Sequence, residues 1–298
     1  MEDAALAGPD RVAGKDPIDD CLAGAISAEV AAARLLLWRW EVERIEAEVR
    51  ARRPAPVTPE WEALSRLVAE RRDALLTLSA EIANTGGDPQ AGRMEGLAGI
   101  AAFFDRAVEH SPEAAVALHS LGDARTLAVT TAEIVDWLAA EGLIGPGRDV
   151  LDLGCGIGRL ATALAPRCRS VLGVDISAGM VAEARRRCAG LENVRLERTE
   201  GDGLPSLAPG SVDLVLAVDS MPYMVQAGVA DGVIAKAAAM LTPTGAIAVL
   251  NLSYRGDPAA DRADLRRWAA AHGLAATSCG ERPFRQWDGQ AFVLRKAP

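Results

Sequence analysis

The chain has 298 residues, 50% of them apolar, and a formal net charge of −9 at pH 7. That length suits one larger and one smaller folded unit, and the apolar content is ample for a packed core. The acidic balance argues against nucleic acid as a partner, because binding a polyanion requires a cationic face that displaces counterions. Five cysteines (Cys21, Cys155, Cys168, Cys188 and Cys279) are scattered and odd in number. They form no CxxC pair and no zinc spacing, so no metal site is expected and a reduced compartment is. Met1-Glu2-Asp3 lacks the basic start of a secretory leader. No stretch approaches the ~18 uncharged apolar residues of a membrane span. The expectation is a cytoplasmic protein without a membrane span.

Residues 1–17 mix Gly, Pro, Asp and Ala without a period and read as a flexible tail. Ala31, Leu35, Trp38, Val42, Ile45 and Val49 then recur at steps of four and three, which predicts one helix with one apolar face. Pro54 and Pro56 stop it. Thr58-Pro59 reads as an N-cap followed by proline in the first turn. A second stripe follows at Trp61, Leu64, Val68, Leu75, Leu78 and Ile82, interrupted at Arg71. Together these predict an N-terminal α-helical hairpin over residues 18–92. Two readings of it stand open. One is a structural appendage or half of a homodimer interface; the other is a docking arm for a peptide or protein.

Residues 93–298 form the second expected unit. Met94 through Phe103-Phe104 to Ala117 reads as helical, and Thr130-Thr131-Ala132-Glu133 reads as a capping box opening the next helix. From Asp149 the pattern alternates. Strands are predicted at 149–153, 170–174, 193–197, 212–218 and 246–251, with helices at 159–165, 178–188 and 225–241 between them. A helix at 261–272 and strands at 274–278 and 291–295 complete seven strands. Such alternation predicts a doubly wound α/β sheet with right-handed crossovers.

The segment with the most chemistry is Val150-Leu151-Asp152-Leu153-Gly154-Cys155-Gly156-Ile157-Gly158-Arg159. A strand enters a glycine turn that opens a helix, where glycine supplies φ > 0 and lets a ligand reach bare backbone. Val171-Leu172-Gly173-Val174-Asp175 then ends a strand in an acid about 20 residues on, a place suited to accepting ribose hydroxyls. A nicotinamide enzyme would want Gly or Ala where Arg159 stands. Asp152 beside the turn would also repel a pyrophosphate, whereas it would attract an ammonium or sulfonium.

Leu151-Asp152-Leu153-Gly154-Cys155-Gly156-Ile157-Gly158 resembles the first motif of class I S-adenosylmethionine-dependent methyltransferases. Asp175-Ile176-Ser177-Ala178-Gly179-Met180 is similar to the second motif of that family and Glu200-Gly201-Asp202-Gly203-Leu204-Pro205 to the third. Val212 to Asp219 resembles its fourth strand, and Leu241 to Ala246 the approach to its fifth, with Thr244 where the family usually has a glycine. The resemblance covers roughly residues 120–298. It implies a seven-stranded Rossmann-like sheet with the last strand antiparallel, and S-adenosyl-L-methionine as cofactor, released as S-adenosyl-L-homocysteine. It further implies that Asp152, Gly154, Cys155, Gly156 and Gly158 form the donor turn, that Asp175 holds the ribose, and that Ile176, Met180 and Leu204 line the adenine pocket. The resemblance also implies that Asp202, with Gly203, reaches the adenine amino group and that Asp219 stands beside the methyl donor.

Candidate catalytic groups follow the fourth and fifth strands: Asp219, Tyr223 and Tyr254, with Ser220, Asn251 and Ser253 nearby. Phe103 and Phe104 are candidates for an apolar lid, and His110 and His119 could reach it. Asp219-Ser220-Met221-Pro222-Tyr223 only partly imitates the signature of amino-group methylation in nucleic acids, with Met221 where that signature has proline. The expectation is methyl transfer to O or N of a small-molecule acceptor. The alternatives are transfer to a peptide or protein docked by the N-terminal helices, or non-catalytic binding of the donor.

Overall fold

The computed structural model describes residues 16–84, 96–200 and 204–296. The chain divides into two compact units, Met1–Arg93 and Met94–Pro298. Most of the expected N-terminal tail, and Asp202 with Gly203 of the third motif, lie outside the described residues.

Among its described residues the first unit holds five helices where the sequence pattern reads as a two-helix hairpin: α1 (Pro17–Leu22), α2 (Ala28–Leu37), α3 (Val42–Ala51), α4 (Pro59–Glu70) and α5 (Arg72–Asn84). The stripe from Ala31 to Val49 belongs to two helices. The chain turns between them through Arg39 at φ 60°, and α3 starts afresh at Val42. The break at Arg71 likewise separates α4 from α5. Thr58 caps α4 as its sequence predicts, accepting from Trp61 N at 3.3 Å. Asp16 and Ser27 cap α1 and α2 in the same way. The apolar stripes are buried: Ile18, Leu35, Ile45, Leu64 and Leu75 have no exposed surface.

The second unit begins with α6 (Gly96–His110) and α7 (Pro112–Val116), then a 3₁₀ turn at Leu118–Ser120 and α8 (Ala124–Ala140). The single helix expected up to Ala117 is cut at Ser111, whose side chain caps α7 with Pro112 in its first turn. The expected capping box at Thr130 is also overturned. Asp123 caps α8, accepting from Thr126 N at 2.7 Å, and Thr130 lies mid-helix, donating back to Leu127 O at 3.0 Å. Glu133 instead accepts from the backbone of Arg285 at 2.6 Å and Gln286 at 3.1 Å.

The α/β core follows in chain order: β1 (Asp149–Leu153), α9 (Arg159–Leu164), β2 (Ser170–Asp175), α10 (Ala178–Arg187), β3 (Val194–Arg198) and β4 (Val212–Val218). Then come α11 (Met221–Gln226), α12 (Ala230–Met240), β5 (Leu241–Leu250), α13 (Pro258–His272), β6 (Leu274–Glu281) and β7 (Ala291–Lys296). The helix expected at 225–241 is two, parted at Gly228 with φ 72°. The seven strands pair in the order β3-β2-β1-β4-β5-β7-β6. β7 runs antiparallel to both β5 and β6, and the pairs from β3 to β5 are parallel.

Alternating residues of the central strands go to opposite faces and both faces are covered, so these strands are apolar at most positions. On one face Leu151, Leu153, Val215, Ala217 and Val249 pack with Val233 and Ile234 of α12 and Trp268 of α13. On the other, Val150, Leu214, Leu216, Ala248 and Leu250 pack with Ile134 and Leu138 of α8 and with Leu160 and Leu164 of α9. Burying each such side chain contributes about 1.5–3 kcal/mol. This double layer fixes the C-terminal ends of β1, β2, β4 and β5 side by side, where open α/β sheets hold their ligands. Among the described residues, no helix is long and apolar enough to cross a membrane and no cluster of side chains has metal-ligand geometry.

Candidate functional site

The turn after β1 uses three left-handed glycines, Gly154 (φ 74°), Gly156 (φ 51°) and Gly158 (φ 76°). A side chain at Gly154 would collide with the Cβ of Ser220, whose hydroxyl donates to Leu153 O at 2.6 Å and ties the end of β4 to the end of β1. A Cβ at Gly156 would stand 2.6 Å from Val116 of α7. At Gly158 it would stand 3.1 Å from Ala184 and from Cys188 Sγ, so this glycine lets α9 lie close to α10.

Four amides of the turn are already used. Gly154 N and Cys155 N both donate to Val174 O, at 2.8 and 2.9 Å, and Gly158 N donates to Cys155 O at 3.0 Å. Gly156 N donates to Asp175 Oδ2 at 2.9 Å. A pyrophosphate site at a helix start needs such N–H groups free, so the turn is poorly built for a dinucleotide. Cys155 is buried, and burial, with the nearby carboxylates Asp152 and Asp175, holds its thiol well above the usual range. It fills space and is no nucleophile at neutral pH.

Asp175, at the end of β2, joins this turn to the next. Its Oδ1 accepts from Ser177 N at 2.9 Å while Oδ2 takes the Gly156 amide. Two of the carboxylate's roughly four acceptor positions remain for other donors. Burial pushes its carboxyl upward against those amide bonds. Ile176 beside it is half-buried. Met180 is buried with Val108, Leu127 and Ile157, beneath α6 and α7. Leu204 is buried in the core on the α12 face of the sheet.

The helix α6 is fastened over this corner. Asp105 accepts from Ser177 Oγ at 2.5 Å and from Gly179 N at 2.9 Å. Phe104 meets Tyr223 edge to face at 5.2 Å between ring centroids, and Tyr223 meets Tyr254 at 5.8 Å. Phe103 abuts Phe104 at 5.2 Å. The two phenylalanines and the chain's two tyrosines thus form one aromatic row reaching from α6 to the ends of β4 and β5.

Asp219 terminates β4 with φ 56°, and Asn251 follows β5 with φ 65°. Left-handed backbone costs a non-glycine residue about 1–2 kcal/mol, least for Asp and Asn. The geometry turns the two side chains toward each other: Asn251 Nδ2 donates to Asp219 Oδ1 at 2.7 Å, and Tyr254 Oη donates to the same oxygen at 3.1 Å. Gln290 N holds Asn251 Oδ1 at 2.9 Å. Burial pushes Asp219 up to about 6, against the two hydrogen bonds and the charge of Arg159. Burial, with Asp219 adjacent, keeps the Tyr254 phenol well above its ordinary value.

Arg159 opens α9, and its Nη1 donates to Thr131 Oγ1 at 3.1 Å. Asp152 and Asp219 both act on its charge. Asp152 is 1% exposed and its Oδ2 has no hydrogen-bond partner. Burial pushes its carboxyl up to about 7; Arg159 pulls it down and Asp175 pushes it further up. A buried acceptor without a partner costs about 1–3 kcal/mol. Beside a turn of bare glycines, this orphaned carboxylate fits a ligand that brings its own cation, as the amino-acid end of S-adenosylmethionine does.

Five described residues now stand out that the motifs did not single out for these places: Asp105, Val116, His119, Arg159 and Asn251. His119 is buried and stacked on Trp287. Arg159 carried a sequence signal as a departure from the dinucleotide fingerprint, Asn251 by following the fifth strand and His119 by preceding the sheet. The rest depend on chain crossings and backbone twists that no local pattern encodes.

The profile of the family described as "Methyltransferase domain" matches residues 150–245, which hold the glycine turn, Asp175 and Asp219. The chain is 33% identical over 108 residues to demethylmenaquinone methyltransferase of Tropheryma whipplei (strain Twist), covering 36% of this chain and 43% of that protein. It is 45% identical over 58 residues to magnesium-protoporphyrin O-methyltransferase of Synechocystis, covering 20% of this chain and 25% of that one. It therefore spans less than half the length of these relatives. The fold is similar to that of phosphoethanolamine N-methyltransferase 1 of Haemonchus contortus, solved with phosphoethanolamine and S-adenosylhomocysteine. The TM-score is 0.50 at 21% identity, over 66% of this chain and 48% of that chain. The glycine turn with its orphaned carboxylate and the strand order agree with the profile match, and residues 150–245 form a methyltransferase domain of the class I, S-adenosylmethionine-dependent type.

Proposed function

We propose that this protein transfers the methyl group of S-adenosylmethionine to an oxygen or nitrogen of a small metabolite. The observation that carries the reading is the pairing of a donor corner with a polar group at the neighbouring strand ends. Asp175 and the glycine turn form the corner; Asp219, held by Asn251 and Tyr254, stands one strand away from the turn.

The donor, when bound, supplies a methyl carbon already activated by a neighbouring sulfonium. The protein's task is then alignment and water exclusion, and proximity can supply as much as ~7–11 kcal/mol. Asp175 binds and orients the ribose, and Ile176, Met180 and Leu204 border the adenine. Phe103, Phe104, Tyr223 and Tyr254 exclude water from the transfer region under α6. Asp219, with an affinity for protons set near pH 6, takes the proton of an acceptor hydroxyl or amine at its carboxylate. That assistance is worth about 10²–10⁴-fold in rate. The named relatives support a small acceptor, since a menaquinone precursor and a magnesium porphyrin stand in their names. The net charge of −9 supports it as well, against a polynucleotide.

Incubation of the full chain with methyl-labelled donor and a size-fractionated cell extract tests the proposal. Label should enter the low-molecular-weight fraction and resist base if bound through nitrogen or an ether. Label appearing only in protein or RNA refutes the small-molecule acceptor, and uptake of donor without any transfer refutes catalysis.

A further inference from the structure

Tyr254 stands between β5 and α13 in a stretch that is neither helix nor strand. Among the described residues, the amides of Ser253, Tyr254 and Arg255 make no backbone–backbone hydrogen bond. A segment without a backbone ladder samples many conformations unless side chains fix it. The phenol is nevertheless held at one point, where its hydroxyl donates to Asp219 Oδ1 at 3.1 Å.

The residues on either side of Tyr254 are tied to a single carboxylate oxygen. Ser253 Oγ donates to Asp261 Oδ1 at 2.6 Å, and Arg255 Nε donates to the same atom at 2.8 Å. Arg255 Nη2 also lies 2.7 Å from it and donates to Asp264 Oδ2 at 2.6 Å. The two ties are joined to each other, since Arg255 N donates to Ser253 Oγ at 3.4 Å. Asp261 is 3% exposed, in the first turn of α13, where a helix start favours negative charge. It is not needed to cap that helix. Asp257 does so, accepting from Ala259 N and Ala260 N, each at 3.0 Å. Among the described residues, every hydrogen bond to the Asp261 carboxylate comes from Ser253 or Arg255. The base of this clamp is rigid. Leu265 and Trp268 of α13 are buried in the core, and Arg267 joins Asp264 to Asp231 of α12.

We propose that Asp261 is a positioning residue for the transfer site: it clamps Ser253 and Arg255 and thereby aims the Tyr254 hydroxyl at Asp219. The consequence for methyl transfer rests on the function proposed above; the positioning itself does not. Asn251 reaches the same Asp219 oxygen from the end of β5, where Gln290 holds it, so its bond is independent of the clamp. Loosening Asp261 should therefore release the tyrosine arm alone. Tyr254 is faced by Asp219, Tyr223 and Asp288, and Asp219 by Asn251, Arg159, Tyr254 and Asp288. The tyrosine bond is one of two that favour the ionised carboxylate.

The chain has two tyrosines, which makes the test specific. Full-length protein labelled for NMR at tyrosine Cζ gives two ring signals, and Tyr254→Phe assigns them. In native protein the Tyr254 signal should follow the titration of Asp219, with a midpoint near pH 6. Asp261→Asn should cut the amplitude about twofold or more and raise the midpoint by about 0.3–1 pH unit, a fraction of one hydrogen bond to a charged group. Ser253→Ala leaves Arg255 on Asp261 and should do the same to a smaller extent; thermal melts of both variants verify folding. Asp261→Asn should slow methyl transfer about 2–5-fold while the Kd of S-adenosylhomocysteine stays within about twofold, and should add little on a Tyr254→Phe background. If the Tyr254 signal titrates in both variants as in native protein, or the two substitutions act additively, Asp261 merely anchors α13 and the inference is overturned. If native protein transfers no methyl group, the proposed function fails, while the ring signals still decide the positioning.

Discussion

Asp175→Asn separates what the ribose acid does for the protein from what it does for the ligand. In the structure its two oxygens accept from Ser177 N and Gly156 N, each at 2.9 Å. Asparagine can satisfy one of these amides; its own NH₂ must face the other. A hydrogen bond to a charged acceptor is worth about 1.5–3 kcal/mol. Burial already pushes the native carboxyl upward, so removing the charge recovers part of its desolvation cost and the loss should fall near the lower end, about 1.5 kcal/mol. For a unit of this size that corresponds to a fall in Tm of about 3–6 °C. The ligand loses acceptors for two hydroxyls, which should raise the Kd of S-adenosylhomocysteine about 10–100-fold. Differential scanning calorimetry without ligand and titration calorimetry with it measure the two losses independently. A variant that melts several degrees lower yet binds within twofold of native protein would refute the ribose assignment and leave Asp175 as a staple of the glycine turn.

Donor binding should strengthen as pH rises from 5 to 8. Burial holds Asp152 at about 7 and Asp219 at about 6 in the free protein, so both carry protons in the acid part of that window. A cationic ligand favours their ionised forms, so binding releases protons. Titrations in two buffers of different ionisation heat count them, and proton uptake would contradict the scheme. The groups facing Asp152 are Arg159 and Asp175; those facing Asp219 are Asn251, Arg159, Tyr254 and Asp288. For stability the sign is opposite: acids raised in the folded state bind more protons than in the unfolded chain, so their contribution to ligand-free stability falls between about pH 4 and 7. Tyr254→Phe removes one hydrogen bond that favours ionised Asp219. It should move the acid limb of the kcat/KM profile upward and lower the rate about 2–10-fold, and an unshifted limb would count against Asp219 as the base. Asp105→Ala should raise hydrogen exchange across residues 96–110 and speed dissociation of S-adenosylhomocysteine, because it removes both bonds that fasten α6 to the start of α10. Unchanged exchange there would show that the aromatic row alone holds the helix.

The β-strands and the donor turn were legible because each is written locally. Val212–Val218 is apolar and buried at every position but Asp213, and its sequence-read limits match the strand. Gly154, Gly156 and Gly158 stand together because three successive backbone demands do. The helices before the sheet were less legible. Thr130 and Glu133 satisfy the capping pattern, yet Asp123 begins the helix seven residues earlier, since a cap motif says nothing about whether an earlier cap has already acted. In the first unit the apolar rhythm continued across Trp38–Glu41 although the helix did not: α2 ends at Leu37 and α3 starts at Val42, each with its own buried residues in step with the stripe. The pairing of Asn251 with Asp219 could not be read at all. It depends on two adjacent left-handed residues brought together by strand register.

Ser177 sits at the meeting of two attachments: its amide is held by Asp175 and its hydroxyl by Asp105. On the proposed donor reading, the roof and the nucleoside seat share this one attachment, and lifting α6 should also loosen the grip on the sugar, so that admission and discharge of the donor become a single motion.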